Sequence, residues 1–306
     1  MNFSQTTEPY ETQYMDILQY IIKYGYKQTN LRTGVDTLRI PHASISVDLE
    51  EEFPILKSKQ VFWKSAADEI LWIMQRQSNN VNDLNSHIWD SWADETGSIG
   101  KSYGYQIGKE VVVDGMTYPS QVHYILRRLA ADSSDRRAVL DLWNVDDMDQ
   151  MNLVPCCYSS VWDIIDGKLN CMLSQRSCDY LVGVPFNTTQ YAILTHLFAR
   201  HLGVGVGRLT HCMADVHVYC YDSHLEGAEK MIKNYKKLDD LGYVSDSMQA
   251  ELSKGNSDVQ HYVEVLDSVP ELKINTPDTD FFSVKSTDIA VDDYKFMEKI
   301  KFDVAV

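Results

Sequence analysis

The sequence predicts a mixed α/β fold, because helical and strand-like segments alternate along its 306 residues. Three observations support this class. Apolar residues recur at helical spacing in residues 9–25 and again in residues 60–77. Apolar and polar residues alternate from Ser44 to Leu49, which is typical of a half-buried strand. Two apolar segments flank Asp166-Gly167, a pair favoured in tight hairpin turns.

The first half of the chain is predicted to supply mainly helices. The helix over 9–25 ends at Gly25, and its apolar face is formed by Tyr14, Ile17, Leu18, Ile21 and Ile22. The helix over 60–77 presents Phe62, Ala66, Ile70 and Ile73 on one side. After it we expect a loop with Gly97, Gly100 and Gly104, a helix over about 119–131 and a buried strand over 138–143.

The second half is predicted to contribute more strands. Residues 158–175 form a hairpin that brings the backbones of Cys156 and Arg176 close together. Asn187 is placed to begin a helix that ends before Gly203. A strand over 209–219 and a helix over 224–238 follow. Residues 237–262 are polar and aperiodic, which indicates a surface excursion exposed to solvent.

Composition and charge exclude several classes of protein. Hydrophobic residues make up 44% of the chain, enough for a core in one large domain or two small ones. The formal net charge of −16 argues against a general nucleic-acid or anionic-membrane binder. The six cysteines lack zinc-type spacing, so we expect no metal and free thiols. No apolar run approaches the ~20 residues that span a bilayer, so a cytoplasmic protein is expected.

Four short motifs follow one another between Pro155 and Tyr219. They are Pro155-Cys156-Cys157-Tyr158, Gln175-Arg176-Ser177-Cys178-Asp179, Gly183-Val184-Pro185-Phe186-Asn187 and Asp215-Val216-His217-Val218-Tyr219. In order and spacing they resemble the thymidylate synthase family, the folate-dependent enzymes that methylate dUMP. One such motif would be weak evidence, whereas four in register are specific. The similarity extends from Arg32 to Val306 and is strongest with bacterial and phage members. Relative to short members of the family, residues 237–262 would be a surface insertion.

The resemblance implies a fold and a reaction. The fold would be one domain over 1–306, with a large mixed sheet flanked by helices and a homodimer formed through a sheet face. The reaction would convert dUMP to dTMP with 5,10-methylenetetrahydrofolate, leaving dihydrofolate. A dUMP hydroxymethylase of the same superfamily, which lets water quench the intermediate, is the nearest alternative. An inactive homologue that binds nucleotides or RNA is a second one.

The resemblance implies that Cys156 is the nucleophile that attacks C6 of the pyrimidine. A thiolate is a strong nucleophile, but a free cysteine at pH 7 is mostly thiol and needs a cationic neighbourhood. Arg176 is the candidate for that neighbour. Glu69 would organise proton transfers, and its place on an apolar helix face should raise its pKa. Asp215 completes the implied catalytic set. Taken alone, Cys156 could be a small buried apolar residue.

Arginines form the implied phosphate site, since a dianionic phosphate favours several guanidinium donors. Arg32, Arg176 and Ser177 would bind it within one subunit. Arg136 and Arg137 would reach it from the partner subunit, so that two subunits share each active site. Ordinary surface ion pairing is the alternative for these two arginines.

Asn187 is the implied reader of the base, because a carboxamide can face both N3–H and O4 of uracil. In the related dCMP hydroxymethylases an aspartate stands here. Helix capping is the alternative role. His217 and Tyr219 project to one face of a strand and would bind the deoxyribose 3′-hydroxyl. Tyr103 and Gln175 complete the implied substrate-binding set.

The folate pocket would be built mainly of flat aromatic side chains that stack on a pterin. Asp179 would accept hydrogen bonds from the pterin edge, and Lys59 would lie near the glutamate tail. Core packing is the alternative for the aromatic residues. The implied set is Lys59, Ile88, Trp89, Trp92, Asp179, Gly183, Phe186 and Ala305, with Ala305 in a C-terminal tail that closes as a lid.

The chain departs from the family pattern at four places. Cys157 stands where most members have histidine, and Val161 replaces the glutamine of the P-C-x(4)-Q motif. Ser174 precedes the Gln175 motif in place of tyrosine, and Ala214 precedes Asp215 in place of glycine. These changes affect the expected details of the pocket more than the fold.

Overall fold

The computed structural model describes residues 8–31, 33–241 and 257–303. Its helices are α1 Tyr10–Tyr24, α2 Trp63–Met74, α3 Gly104–Ile107, α4 Gln121–Ala131, α5 Gly183–Leu202, α6 Asp222–Leu241 and α7 Ser257–Asp267. Its strands are β1 Tyr26–Thr29, β2 Asp36–Asp48, β3 Val111–Val113, β4 Met116–Tyr118, β5 Ala138–Asp141, β6 Cys157–Ile165, β7 Lys168–Gln175, β8 Cys178–Asp179, β9 Gly205–Tyr219, β10 Glu271–Ile274 and β11 Ile289–Asp292. Within these residues no helix is both long and apolar enough to cross a bilayer.

A seven-stranded mixed sheet forms the centre of the fold, which confirms the predicted fold class. The strand order is β1-β2-β9-β7-β6-β5, and β8 pairs with β9 outside this path. β7 and β8 run parallel to β9, and the remaining neighbours are antiparallel. β2 is longer than the sequence predicts. Polar residues such as Arg39 and His42 interrupt the alternation in its first half, where pairing with β9 holds the strand.

The β6–β7 hairpin is confirmed and positions the first candidate residues. Asp166 and Gly167 both have positive φ, 51° and 72°, as a type I′ turn requires. At the other end of the hairpin, the Arg176 amide donates a hydrogen bond of 2.9 Å to the Cys156 carbonyl. The local turn chemistry therefore brings the two backbones together as expected.

Helix α2 is shorter than predicted. It begins at Trp63, and Phe62 is the residue before its first turn. Phe62 is 59% exposed, so the prediction that it joins the apolar face is wrong. The rest of the helix is buried almost all round, including Asp68 and Glu69, because it packs against α5.

Helix α5 begins at Gly183, four residues earlier than predicted. Pro185 fits the first turn because its missing N–H would have no partner there. Asn187 therefore lies inside the helix, and the capping alternative for it is wrong. Gly203 ends the helix with φ 68°, as predicted.

Two shorter segments also differ from the predictions. Gly104 begins the short helix α3 rather than lying in a loop. β5 is buried on alternate residues only, because its side chains point in turn to a covered and to a partly exposed face of the sheet. Ala138 and Leu140 are buried, whereas Val139 and Trp143 are each 39% exposed, so the strand is not fully buried as expected.

The segment 237–262 is partly helical. Its ends belong to α6 and α7, which contact each other, and residues 242–256 lie outside the described residues. Leu238 and Val265 form a small apolar cluster with Met297. The Lys237 ammonium donates to the Tyr262 hydroxyl at 3.0 Å. The described ends are therefore packed rather than fully solvated, and the insertion itself stays a prediction.

Candidate active site

A cavity of about 320 Å³ opens between α2, α5 and the start of the β6–β7 hairpin. Its volume lies at the lower end of the range for small-molecule sites. The wall combines aromatic and apolar side chains with a few polar groups. It includes twelve residues that the sequence singled out: Glu69, Ile88, Trp89, Trp92, Tyr103, Cys156, Gln175, Ser177, Asp179, Gly183, Phe186 and Asn187.

Cys156 lies at the cavity wall just before β6 and is partly exposed. Its backbone is held from two sides. The amide donates to the Tyr103 hydroxyl at 2.9 Å, and the carbonyl accepts from the Arg176 amide at 2.9 Å. These bonds fix the position from which the thiol reaches the cavity.

Cys157 occupies a different environment although it is the next residue. It is 5% exposed, and burial raises the pKa of its thiol well above the usual value. Its Sγ donates to Gln175 Oε1 at 3.5 Å. Cys157 therefore stays a neutral thiol near pH 7.

Tyr103 carries backbone strain at this site. Its φ of 31° and ψ of −97° are uncommon for a residue with a side chain. The conformation places its ring edge-on to Trp89, with 5.1 Å between centroids, and its hydroxyl beside the Cys156 amide. The strain is located where the nucleophile loop is held.

The Arg176 guanidinium supports the same loop. It donates to the carbonyl oxygens of Val154 and Pro155 at 2.8 and 2.9 Å, and it lies 5.6 Å from the centre of the Trp143 ring. Arg176 also lines a second cavity of about 640 Å³ on the sheet, beside Trp143 and Tyr158. In the described part of the chain, Arg176 is therefore not among the residues that line the first cavity.

Glu69 faces the cavity from α2 and is 5% exposed. Burial raises the pKa of its carboxyl to about 7, although hydrogen bonding from Gln190 and the Trp89 indole favours the charged form. The prediction of a raised pKa is confirmed. Such a carboxyl can both give and take a proton near neutral pH.

Asn187 and Glu69 are linked through Gln190, a residue that the sequence analysis missed. The Asn187 Nδ2 donates to Gln190 Oε1 at 2.9 Å, and the Gln190 Nε2 donates to Glu69 Oε1 at 2.9 Å. Gln190 lies three positions after Asn187, on the same face of α5. That spacing is the feature by which the sequence could have identified Gln190. Its hydrogen bond to Glu69 could not be foreseen, because the two residues are 121 positions apart.

The aromatic part of the wall is a connected group. Trp89 packs against Trp92, Tyr103 and Trp72, with ring centroids 5.7, 5.1 and 5.8 Å away. Trp89 is 7% exposed, so it takes part in core packing and also lines the cavity. Core packing and ligand contact are therefore compatible for this residue.

Asp179 and Lys59 add charge near that wall. Asp179 Oδ1 accepts from the amides of Leu181 and Val182 at 3.2 and 3.3 Å, just before α5. Lys59 is 7% exposed, and its ammonium lies 5.2 Å from the centre of the Phe302 ring. Burial lowers the pKa of Lys59 to about 8, against the charge of Asp179.

His217 and Tyr219 lie on one side of β9, as predicted, with ring centroids 5.1 Å apart. Burial opposes protonation of His217, but its hydrogen bonds to Asp215 outweigh this and raise its pKa. The Asp215 carboxylate pairs with Arg39 at 2.5 Å. In the described part of the protein, four predicted residues lie beside the cavity rather than in its wall: Asp215, His217, Tyr219 and Lys59.

The remaining arginines are not gathered at the cavity. Arg136 and Arg137 are exposed, and Arg137 pairs with Asp135 at 3.2 Å. Arg32 and Ala305, both predicted site residues, lie outside the described residues. No cluster of three or more potential metal ligands occurs in residues 8–31, 33–241 and 257–303.

Comparisons with known proteins identify the family of this chain. The family model for thymidylate synthase matches residues 12–306. A thymidylate synthase from Clostridium beijerinckii is 38% identical over 300 residues, covering 97% of this chain and 99% of that protein. One from Bacillus phage phi3T is 34% identical over 308 residues, covering 97% and 99%. The solved structure of thermostable thymidylate synthase A from Bacillus subtilis has a TM-score of 0.80 and 32% identity, covering 98% of this chain and 100% of that one. This chain belongs to the thymidylate synthase family.

Proposed function

We infer that this chain converts dUMP to dTMP with 5,10-methylenetetrahydrofolate as co-substrate, with Cys156 as the nucleophile. The observation that carries the assignment of Cys156 is its place in the wall of a cavity that Glu69 and Asn187 also line. Membership of a methyltransferase family supports the reaction class. The hydroxymethylase alternative has no comparable support.

The protein's own groups divide the work. The Cys156 thiolate forms a bond from Sγ to C6 of the pyrimidine, which makes C5 nucleophilic. Glu69, with a pKa near 7, moves protons at the ring. Asn187 pairs with the uracil edge, and Tyr103 holds the Cys156 loop in place. The folate supplies the one-carbon unit and the hydride.

The cavity fits a folate on chemical grounds. Trp89, Trp92 and Phe186 offer flat apolar surface for a pterin ring, and Asp179 has a second carboxylate oxygen besides the one that accepts from the amides before α5. A methyl group at Gly183 would lie at ordinary contact distance from Asn187 and Asp179, so glycine here leaves the space open. Lys59 is close enough to attract an anionic glutamate tail.

The phosphate site is proposed to be completed by a second copy of the chain. Arg176, Ser177 and Arg32 would act within one subunit, and the exposed Arg136 and Arg137 would enter the site of the partner. Val139 and Met172 stand 39% and 43% exposed on one sheet face, which is suited to dimerisation. His217 and Tyr219 would bind the sugar, and Asp215 would position His217.

Further parts of the proposal concern the setting of the enzyme. The six cysteines are free thiols, which suits the reducing cytoplasm. With a net charge of −16, the chain is proposed to bind dUMP and folate but no nucleic acid or membrane. We propose that residues 1–306 form one domain.

A covalent trap tests the assignment of the nucleophile. A dUMP analogue with fluorine at C5 blocks the loss of the C5 proton, so the enzyme with methylenetetrahydrofolate should keep the nucleotide bound. Peptide mass spectrometry should place the label on Cys156. Cys157→Ser is the matched control and should still be labelled, whereas Cys156→Ser should not. Label on Cys157, or no label at all, would overturn the proposal.

A further inference from the structure

The polar groups of the cavity include one that the reaction as described does not use. Gln190 is 2% exposed and lies on α5 between Asn187 and Glu69. It makes a hydrogen bond of 2.9 Å with each of them. We propose that Gln190 is a positioning residue that connects the Glu69 carboxylate to the Asn187 carboxamide and thereby sets which way the amide faces the pyrimidine. The inference rests on the proposed role of Asn187 as the reader of the base.

The direction of the two bonds follows from the chemistry of Glu69. An ionised carboxylate can only accept hydrogen bonds, so Gln190 must turn its Nε2 toward Glu69. Its Oε1 then faces Asn187, which must donate a hydrogen bond from Nδ2. The reverse orientation of Asn187 would place two carbonyl oxygens against each other. The charge of Glu69, acting through Gln190, therefore fixes the orientation of the Asn187 amide.

The orientation that results suits uracil. Asn187 keeps its Oδ1 and one N–H of Nδ2 for a ligand, since Gln190 uses only the other N–H. Uracil offers a donor at N3 and an acceptor at O4, so the two edges match. Cytosine offers an acceptor at N3 and a donor at its amino group, and it needs the opposite orientation. A fixed amide therefore discriminates, whereas a freely rotating one would accept both bases.

The hydrogen bonds from Asn187 through Gln190 to Glu69 form a relay, and a change in the charge state of Glu69 would perturb it. Asp68, Tyr103 and Cys157 are titratable groups that interact electrostatically with Glu69, and Cys156 lines the same cavity. The pKa values of Tyr103 and Cys157 are raised well above their usual values, and that of Asp68 is lowered, so these three keep their charge states between pH 5 and 9. Glu69, with a pKa of about 7, changes within that range. A protonated Glu69 could donate to Gln190, and the whole relay could then reverse.

The test uses two substitutions that separate the functions of Gln190. Gln190→Met keeps the length but removes both hydrogen bonds. Gln190→Glu keeps an acceptor for Asn187 and removes the donor to Glu69. For each variant and the wild type, kcat/KM is measured for dUMP and for dCMP across pH 5.5–9. Thr189→Val is the matched control, because it removes a buried hydrogen bond to Pro54 from the same helix outside the cavity wall.

Gln190→Met should lower the preference for dUMP over dCMP roughly 3- to 10-fold, the effect of one lost buried hydrogen bond. Gln190→Glu should keep more of that preference. In both variants, the limb of the pH profile that is due to Glu69 should move to higher pH, because the charged form of Glu69 loses a hydrogen-bond donor. Thr189→Val should change neither quantity.

Asn187→Asp, measured alongside, distinguishes two failures. If Asn187→Asp shifts the preference toward dCMP while both Gln190 variants match the wild type in preference and pH profile, the role of Gln190 is overturned alone. If Asn187→Asp leaves the preference unchanged, the proposed role of Asn187 fails and the inference fails with it. Should Gln190→Met not fold, Gln190→Glu decides: a wild-type pH profile would overturn the relay.

Discussion

The two faces of the central sheet differ sharply although the same five strands build both. One cross-strand row is buried, with every side chain at most 2% exposed: Ala138, Trp162, Cys171, Leu209 and Val47. The next row, displaced by one residue on each strand, is partly exposed: Val139, Val161, Met172, Thr210 and Ser46. Because strand side chains alternate, this difference shows which face the protomer covers by itself.

The difference separates two parts of the proposed active site. The cavity with Cys156, Glu69 and Asn187 is enclosed by α2 and α5 within one protomer. Arg176 lines the second cavity, on the partly exposed face, beside Trp143 and Tyr158. The base and folate groups are therefore assembled by one chain, whereas the proposed phosphate site opens toward a surface that still has apolar residues. A second copy of the chain would close that surface and supply Arg136 and Arg137.

We expect the largest effect from a complementation experiment in which one subunit lacks the nucleophile and the other lacks a phosphate ligand. Cys156→Ala and Arg136→Ala should each be inactive as pure proteins, for lack of a nucleophile and of a phosphate ligand. Mixed after subunit exchange, they should regain activity, because one mixed site has both groups intact. Activity is followed by dihydrofolate absorbance, and exchange by a mass tag on one subunit. Demonstrated exchange without recovered activity, or a monomer in sedimentation, would contradict the shared site.

The covered face should be much more sensitive to truncation than the other face. Trp162 is fully buried and packs 4.9 Å from the Phe198 ring, so Trp162→Ala should lower the free energy of unfolding by about 3–5 kcal/mol. Met172→Ala, on the partly exposed face, should instead lower the apparent Tm mainly at low protein concentration, because it weakens association. Denaturant unfolding at two protein concentrations separates the effects. Equal, concentration-independent losses would remove the distinction between the faces.

The covered side also encloses a charge, and its effect on stability should depend on pH. Burial raises the pKa of Glu69 from 4.5 to about 7, so the folded protein binds more protons than the unfolded chain in this range. Stability is therefore lost as pH rises from 4.5 through 7, by about 3 kcal/mol in total at 1.36 kcal/mol per pKa unit. Glu69→Gln should gain about that much relative to wild type between pH 4 and pH 8.

Asp68→Asn provides the control for that experiment on the neighbouring residue. Burial would raise the pKa of Asp68, but hydrogen bonds from Asn85 and Arg76 outweigh it and lower the pKa. Asp68 therefore stabilises the fold above its unfolded pKa, and this contribution is lost as pH falls. Relative to wild type, Asp68→Asn should lose stability as pH rises, the opposite sign to Glu69→Gln. The same sign for both variants would show that general surface charge, not burial, sets the pH dependence.

What the sequence could predict depended on how local the cause was. The Asp166-Gly167 turn, the end of α5 at Gly203 and the shared face of His217 and Tyr219 each follow from adjacent residues, and all three are confirmed. The start of α5 at Gly183 was missed because Asp179, four residues earlier, satisfies the amides before the helix. The exposure of Val139 was missed because the packing of the whole fold, not the local sequence, decides which face of the sheet is covered.

For the site, the sequence identified twelve residues of the cavity wall but not its internal connections. Seven of the twelve come from the four motifs, whose segments converge at the start of the hairpin and of α5, and the other five come from earlier segments of the chain. Gln190 was missed because its partner Glu69 is on another helix, far away in sequence. Arg176 was singled out as a neighbour of the thiol, and this stays a prediction; its hydrogen bonds to the carbonyls of Val154 and Pro155 were not foreseen. Side-chain direction of this kind is decided by tertiary packing.

The central claim is that this chain makes dTMP, and product analysis tests it most directly. The purified protein is incubated with dUMP and 5,10-methylenetetrahydrofolate, the nucleotides are separated by chromatography, and dihydrofolate is followed by its absorbance. Because Trp89 and its aromatic neighbours line the cavity with apolar surface, we expect hydride transfer to outrun attack by water. The account predicts dTMP and dihydrofolate in equal amounts. Formation of 5-hydroxymethyl-dUMP without dihydrofolate would contradict it and support the hydroxymethylase alternative.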